Sequence, residues 1–501
     1  MALLLAAAAV LILVGIAAVY FGLSNSVTRS AAVSLLKASS ERNALKNAGQ
    51  RWAAALQVSL DGGAVASAAP YQCSTSGGPA VTDTQDSTIT HACREVSSGS
   101  SNPAKKAFVI TSVRGLNQAT TRMAYSPGTP VTPGVCTASS TNPSVQGSGT
   151  QVDPYIICNF TQLNNIQDNY SYTKKKIYFK LANDITAPTG ASFHPIGGKP
   201  QKAFSGGFDG DGHTISNLAI QGLGGGNGLG LIGVAATVTV QNLRISNLTV
   251  NGSMPFYAGA LVGYGPSGSY GISNSSITIS NCIVDGFTMV GWDRVGGLIG
   301  DADGQAFIYD SHAINLNIES TSTIGMTGGL IAEAHDATIE RSWSSGQLNA
   351  SVSGGGLLGL VLKASIKDSY SVANVKKVAG SGGNPTAMGG VVGKHDGSNS
   401  GDTLTLTNVY AAGPVESTST HYGGLLAWQV GPSTATATGS FWDSSGNGIT
   451  APGTGQGSSA GTGATAQNTA TMKAKTIYNS AGWSTAVWSL GGHYPTLLSN
   501  P

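Results

Sequence analysis

The sequence predicts a mainly β protein, a parallel β-helix preceded by one long N-terminal α-helix. Three observations carry this expectation. A Gly-flanked apolar phrase recurs seven times between Leu231 and Leu425. A second phrase, with an apolar residue and a polar residue at fixed spacing, accompanies each copy. The opening of the chain runs without proline as far as Pro70, first apolar and then amphipathic. Composition agrees: charged residues are 10%, net charge is +2, and Gly accounts for 70 of 501 residues. A chain so poor in cations is no basic nucleic-acid binder. Its surface is polar through hydroxyls and amides, as in a β-rich extracellular protein.

The first element spans residues 1–57. "MALLLAAAAVLILVGIAAVYFGL" carries no charged side chain, and the first basic residue is Arg29. About 20 such residues span a bilayer as a helix. Beyond it, Val27, Ala31, Leu35, Ala38, Leu45, Ala48, Trp52 and Leu56 recur mostly three or four apart between Arg, Lys and Glu, which is an amphipathic helical pattern. The first half needs a bilayer or a bundle of its own copies, and the second packs on a head. No basic segment precedes the apolar run, and Arg29, Lys37, Arg42 and Lys46 follow it. Flanking cations would therefore orient an ordinary anchor with the repeats in the cytoplasm. A short basic leader removed ahead of Met1 resolves that conflict.

This segment resembles the N-terminal helix of type IV pilins and pseudopilins, whose mature chains begin with an apolar residue, often Met or Phe, after a leader peptidase has cut. The resemblance implies an assembly helix that includes Met1, Leu5, Ile12, Gly15, Tyr20 and Phe21. It further implies self-association into a homopolymer, a membrane-embedded state before assembly, and the inner-membrane pilus assembly machinery as partner. One departure stands out: the family usually has Glu at the fifth mature position, and this chain has Leu5. Packing would then rest on apolar contacts alone.

Residues 58–150 read as a small head and linker. "KKAFVITSVRG" has the pattern of a strand, and Ser, Thr, Pro and Gly dominate from Tyr125 to Gly149. Of five cysteines, Cys73 and Cys93 flank one polar loop and Cys136 and Cys158 another. Two loop-closing disulfides fit both pairs in an oxidising compartment. Cys282 is left over inside a repeat, as a buried thiol.

Residues 151–445 hold the repeats. "GLGLIG", "GALVG", "GGLIG", "GGLIA", "GGLLG", "GGVVG" and "GGLLA" are anchored by Leu231, Leu261, Leu298, Leu330, Leu357, Val391 and Leu425, spaced 30, 37, 32, 27, 34 and 34 apart. Periods in this range mark a solenoid or propeller, with insertions at loops. The accompanying phrases begin at Ile215, Val240, Ile279, Ile308, Ile339, Ile366 and Leu406. Two positions later stand Asn217, Asn242, Asn281, Asp310, Arg341, Asp368 and Asn408. Stacked coils about 4.8 Å apart would turn the first set into one apolar column and the second into a hydrogen-bonded corner ladder. Gly-Gly would serve corners where a Cβ does not fit or positive φ is needed. A propeller blade needs tight hairpins, whose signatures are missing.

From "DPYIICNFTQLNNI" through "FSGGFDGDGHTISNL", the GGLIG units and "SFWDSSGNG" to the final "SLGGHYPTLL", residues 153–498 are similar to the GLUG-repeat family of bacterial surface proteins. That resemblance implies a cell-surface and adhesive role.

Residues 446–501 are a Gly/Ser/Thr loop followed by an aromatic segment with Trp483, Trp488 and Tyr494, expected to cap the open end of the solenoid. The best candidates for the paired carboxylates of glycan chemistry are Asp209 and Asp211 with His213, and Asp301 and Asp303 of "DADG"; both sets read as turn residues beside Gly. The eight His show no metal spacing, and no cofactor is expected. His312, Trp343, Tyr370 and Tyr410 follow the corner residue in four successive units. Facing out, they would be a stacking strip for surface glycans; unbroken alternation from the Ile column makes them core. The sequence thus leads to a non-enzymatic subunit of an extracellular, type IV pilus-like filament displaying a β-helix as sheath or adhesin. The alternatives are a membrane-tethered monomeric adhesin and a β-helix polysaccharidase.

Overall fold

The computed structural model describes residues 80–82, 88–97, 106–114, 117–125 and 147–498, the last stretch apart from 167–175, 199–201, 222–227, 252–255, 270, 292, 379–384, 398–400 and 448–463. The helix expected over residues 1–57, with Met1, Leu5, Ile12, Gly15, Tyr20 and Phe21, lies outside the described residues, as do Cys73 and Cys136. Among the described residues no helix is long and apolar enough to cross a membrane.

The chain divides into two units, Met1–Val135 and Cys136–Pro501. The first holds an antiparallel sheet of Val81–Thr82, Thr90–Ser97, Lys106–Arg114 and Asn117–Tyr125, paired in chain order. Cys93 and Ile110 sit opposite each other, both buried. The expected strand in "KKAFVITSVRG" is the third of these.

The second unit is built on a continuous stack of parallel strands, gathered into one sheet of 23 strands and one of seven, with a short antiparallel pair of Trp488–Ser489 and Thr496–Leu497 beside them in the chain's last segment. The repeat phrases supply the stack. Val240, Ile279, Ile308, Ile339, Ile366 and Leu406 pair in register from coil to coil, all inside the apolar core. The seven anchors from Leu231 to Leu425 are fully buried. They are joined by a backbone ladder in which the N–H of Leu261, Leu298, Leu330, Leu357 and Val391 each donates to the anchor carbonyl of the next coil. At the N-terminal end the short helix Phe160–Asn164 is capped by Asn159, whose side chain accepts from the Gln162 N–H at 2.9 Å. That cap satisfies an N–H the first helical turn leaves open. Leu163 and Ile166 enter the core from this segment.

The corner residues all adopt left-handed backbone, with φ between 47° and 59° from Asn217 to Asn408, a region Asn and Asp enter more readily than most residues. Their side chains form ladder segments: Asn281 donates to Asn242 at 3.0 Å, Asn408 to Asp368 at 3.0 Å, and Arg341 grips Asp310 at 2.7 and 2.8 Å. One assignment moves. Ile215 and Asn217 pair with Ile245 and stand beside Asn247, one corner further along the coil. The residue in register with Val240 is Phe208. The cause is that "ISNL" occurs at both corners, in 215–218 and 245–248.

Where a serine follows the corner, as Ser311, Ser342, Ser369 and Ser440 do, it has a structural task. The corner pulls a backbone N–H out of the regular ladder, and a buried N–H needs a partner. Ser311 Oγ accepts from Cys282 N at 3.0 Å, Ser342 Oγ from Ser311 N at 3.2 Å, Ser369 Oγ from Ser342 N at 3.1 Å, and Ser440 Oγ from Val409 N at 3.2 Å. Each hydroxyl donates in turn to the carbonyl two residues before it.

The corner also resets the side-chain phase. Ser342 and Ser344 are fully buried and Trp343 between them is half-buried; Val409 and Ala411 lie in the core and Tyr410 does not. The aromatic column therefore points away from the lumen, contrary to the core placement that unbroken alternation implied. At Trp343, Tyr370 and Tyr410 it is covered by the C-terminal segment. Met472, Tyr478, Trp483, Trp488 and Leu497 form a second apolar cluster with Tyr370, Tyr410 and Phe441. Tyr410 Oη donates to Pro495 O at 2.7 Å and Trp488 Nε1 to Asp368 Oδ1 at 3.2 Å. The terminal aromatics expected over the open end are seated on the flank of the last coils.

Candidate functional site

The seven-stranded sheet is built from short segments such as Tyr257–Gly259, Arg294–Gly296, Met326–Gly328 and Ser353–Gly355, each running into the Gly-flanked phrase. Ala258 and Val295 are core residues, so by strand alternation their neighbours Tyr257, Gly259, Arg294 and Gly296 face the other way. The chain then bends sharply back. A Cβ on Gly296, Gly328 or Gly355 would lie 1.9, 1.8 or 1.8 Å from the carbonyl oxygen three residues on. These glycines are needed for space, since none has positive φ. The bend leaves a narrow notch along the solenoid, in which side chains seven apart in sequence meet from opposite walls. Tyr257 stacks on Tyr264 with ring centroids 4.3 Å apart, Arg294 Nε lies 3.0 Å from Asp301 Oδ2, and His421 stacks on Trp428 at 4.4 Å.

Charge concentrates at Arg294. Its Nη1 donates to Asp293 Oδ2 at 2.5 Å and its Nε to Glu333 Oε2 from the next coil, with Asp301 Oδ2 paired at 3.0 Å from that nitrogen. The ring of Tyr257 lies 5.4 Å from its guanidinium carbon. Beside this group, Tyr264 Oη donates to Asp303 Oδ2 at 2.7 Å and His335 Nε2 lies 3.5 Å from Asp303 Oδ1. Asp301 is 2% exposed, and its Oδ1 has no hydrogen-bond partner among the described residues. Burial pushes its carboxyl well above the usual carboxylate range, and Glu333 and Asp303 push it further, while Arg294 opposes them. Burial also raises Asp293, against Arg294, and lifts the Tyr257 phenol to about 12 with help from Asp301. A half-buried guanidinium among carboxylates is a cluster whose members depend on one another. Among the described residues no group of three or more His, Cys, Asp or Glu is arranged to hold a metal ion.

The carboxylates singled out in the sequence divide between two places. Asp209 belongs to the corner ladder, accepting from Gln241 Nε2 at 2.8 Å, Asn242 Nδ2 at 3.1 Å and Asp211 N at 2.9 Å. Asp211 pairs with Lys180 at 3.1 Å and His213 with Asp184 at 3.2 Å. Asp301 and Asp303 are in the notch, two residues apart on one strand. His312, Trp343, Tyr370 and Tyr410 do form one column, ring on ring at 5.1, 5.0 and 4.8 Å. His312, Tyr370 and Tyr410 are 2, 4 and 1% exposed and Trp343 is half-buried, so three of the four rings are closed off from solvent. Cys93 and Cys158 are disulfide-bonded, and Cys282 is free and fully buried, its thiol pushed up to about 12 by burial. Arg294, Glu333, Tyr257 and Tyr264 were missed from the sequence. The signal was present: each Gly-flanked phrase is bracketed by two residues seven apart, and the pair Arg294 and Asp301 has opposite charge.

No family model matches the chain. Over 173 residues it is 35% identical to halomucin of Haloquadratum walsbyi, covering 33% of this chain and 2% of that protein. Over 142 residues it is 34% identical to a protein of Evansella cellulosilytica named as a Gly-rich membrane protein, covering 26% of this chain and 15% of the relative. The chain thus spans only a small part of the length of these relatives. A crystal structure from Bacteroides ovatus, described as an immunoglobulin A1 protease, superposes with a TM-score of 0.46 at 23% identity, covering 73% of this chain and 97% of that one.

Proposed function

We propose that the chain is a cell-surface display protein, held at its N-terminal segment and presenting the solenoid outward as a sheath or adhesin. In its finer form the reading is a type IV pilus-like subunit: residues 1–23 bury themselves among sister copies, with a membrane-embedded state before assembly. The observation that carries the reading is the pairing of an uncharged apolar opening with a solenoid whose strands are satisfied coil by coil. The nine parallel strands stacked from Ile177–Leu181 to Thr434–Thr438, at about 4.8 Å spacing, give a rod about 40 Å long. Such a rod suits spacing and display, and the reading assigns it no chemistry. The names of the two relatives, a mucin-like one and a membrane one, support a surface setting.

Deletion of residues 1–25 tests it. The full chain is expected in the surface or membrane fraction and in filaments seen by electron microscopy; the deleted chain is expected soluble in the medium, with its β-rich circular dichroism kept. A full-length chain recovered as a detergent-soluble monomer without filaments would favour the tethered adhesin. A deleted chain that stays at the surface would overturn both forms.

A further inference from the structure

The centre of the notch carries more negative charge than its cation answers. Three carboxylates, Asp293, Asp301 and Glu333, contact the single guanidinium of Arg294, and a fourth, Asp303, lies close enough to Asp301 to act on its charge. Every carboxylate but one has donors for its exposed or charged oxygens. Asp293 receives Arg294 and, at 3.4 Å, Ser322 Oγ. Glu333 receives Arg294 and keeps 12% of its side chain in solvent. Asp303 receives Tyr264, has His335 nearby and keeps 24% of its side chain in solvent. Asp301 gives one oxygen to Arg294 and leaves the other buried with no partner among the described residues.

We propose that the folded protein binds one proton here, holding Asp301 as a neutral carboxylic acid at neutral pH, so that the stacked coils are acid-hardened and loosen as pH rises. A buried ionised carboxylate with an unpaired oxygen is strongly disfavoured, and neutralisation is the ordinary escape. The groups that face Asp301 all push the same way apart from the guanidinium. Tyr257 and Tyr264 from the preceding coil are uncharged at neutral pH, Asp293 and Asp303 lie on its own coil, and Glu333 comes from the next coil. His335 pairs with Asp303 on the outer side. The proton therefore sits between two coils, and its loss sets Asp301 against Glu333 across the coil boundary.

The sign follows from the direction of the shift, which burial drives upward. In the unfolded chain Asp301 titrates near the ordinary value of about 4, and in the folded chain higher. Its contribution to stability is then fully present below about pH 4 and is lost as pH rises toward the folded value.

The test uses the full chain in detergent, unfolded by urea at pH 5, 7 and 9, together with Asp301→Asn, which keeps the shape and a neutral side chain. The wild-type midpoint is expected to fall as pH rises over this range, and the Asp301→Asn midpoint to fall distinctly less, the remaining slope coming from Asp293, which burial also raises. An Asp301→Asn chain that loses stability with pH as steeply as wild type overturns the proposal. Should that variant fail to fold, infrared spectroscopy of the wild-type chain decides. The carbonyl stretch of a neutral carboxylic acid is expected at pH 7, and its absence overturns the proposal.

Discussion

Replacing Arg294 by Ala is expected to cost the second unit about 3–5 kcal/mol at pH 7, the range for removing one partner of a buried ion group. Asp293, Asp301 and Glu333 would then share the notch with no cation, and the Tyr257 ring would lose the guanidinium 5.4 Å away. Chemical denaturation measures the loss. It should shrink as pH falls, because protonation removes the repulsion that the missing cation had balanced. The double variant Arg294→Ala with Glu333→Gln should recover part of it, since Glu333 contacts Arg294 directly and contacting sites are not additive. A loss below about 1 kcal/mol, the range of a surface pair, would mean that the cluster is solvated in the folded protein.

The second large effect concerns the bend itself. In Gly355→Ala the new Cβ would stand 1.8 Å from Leu358 O and 2.7 Å from Gly393 N. Both are backbone atoms, one in the same bend and one in the next coil, so neither can rotate aside as a flexible side chain would. Overpacking of this kind costs about 1–3 kcal/mol and occasionally more, and this site belongs at the upper end. Gly401→Ala is the control, because a Cβ there meets nothing within 4 Å. It should change stability by no more than about 0.5 kcal/mol. Equal losses in the two variants would remove space as the reason for the repeated Gly-Gly.

Much of the solenoid was legible in the sequence because its regularity is one residue per coil. The anchors from Leu231 to Leu425 and the column from Val240 to Leu406 recur once per coil, at spacings of 27 to 40 residues, and are all buried where stacking puts them. The corners at Asn242, Asn281, Asp310, Arg341, Asp368 and Asn408 were legible for the same reason, but not their left-handed backbone, which had been expected at Gly-Gly. Three further features were not legible. Ile215 and Asn217 were placed one corner away, since the two corners of a coil share the words "ISNL" and only pairing register distinguishes them. The outward turn of Trp343 and Tyr410 depends on the phase change at a left-handed residue, which a period of two cannot express. The notch is formed by residues seven apart on the two arms of a bend. Charge pairing between Arg294 and Asp301 hinted at it, but helical and strand periodicities search at four and two. The disulfide pairings Cys73 with Cys93 and Cys136 with Cys158 and the helix over residues 1–57 stand as proposals.

Register is the claim on which the columns, the serine ladder and the notch all depend, and cysteine cross-linking tests it most directly. Asp336 and Lys363 face each other from adjacent coils, partly exposed and 3.1 Å apart at their side-chain tips. Neighbouring strands about 4.8 Å apart bring such a pair within disulfide reach. The variant Asp336→Cys with Lys363→Cys is expected to form that disulfide on mild oxidation, identified by mass spectrometry of the linked peptides. Asp336→Cys with Lys367→Cys, offset by four residues or about 13 Å along the strand, is expected to form none. Linkage in the offset pair and not in the matched one would contradict the stacked-coil register.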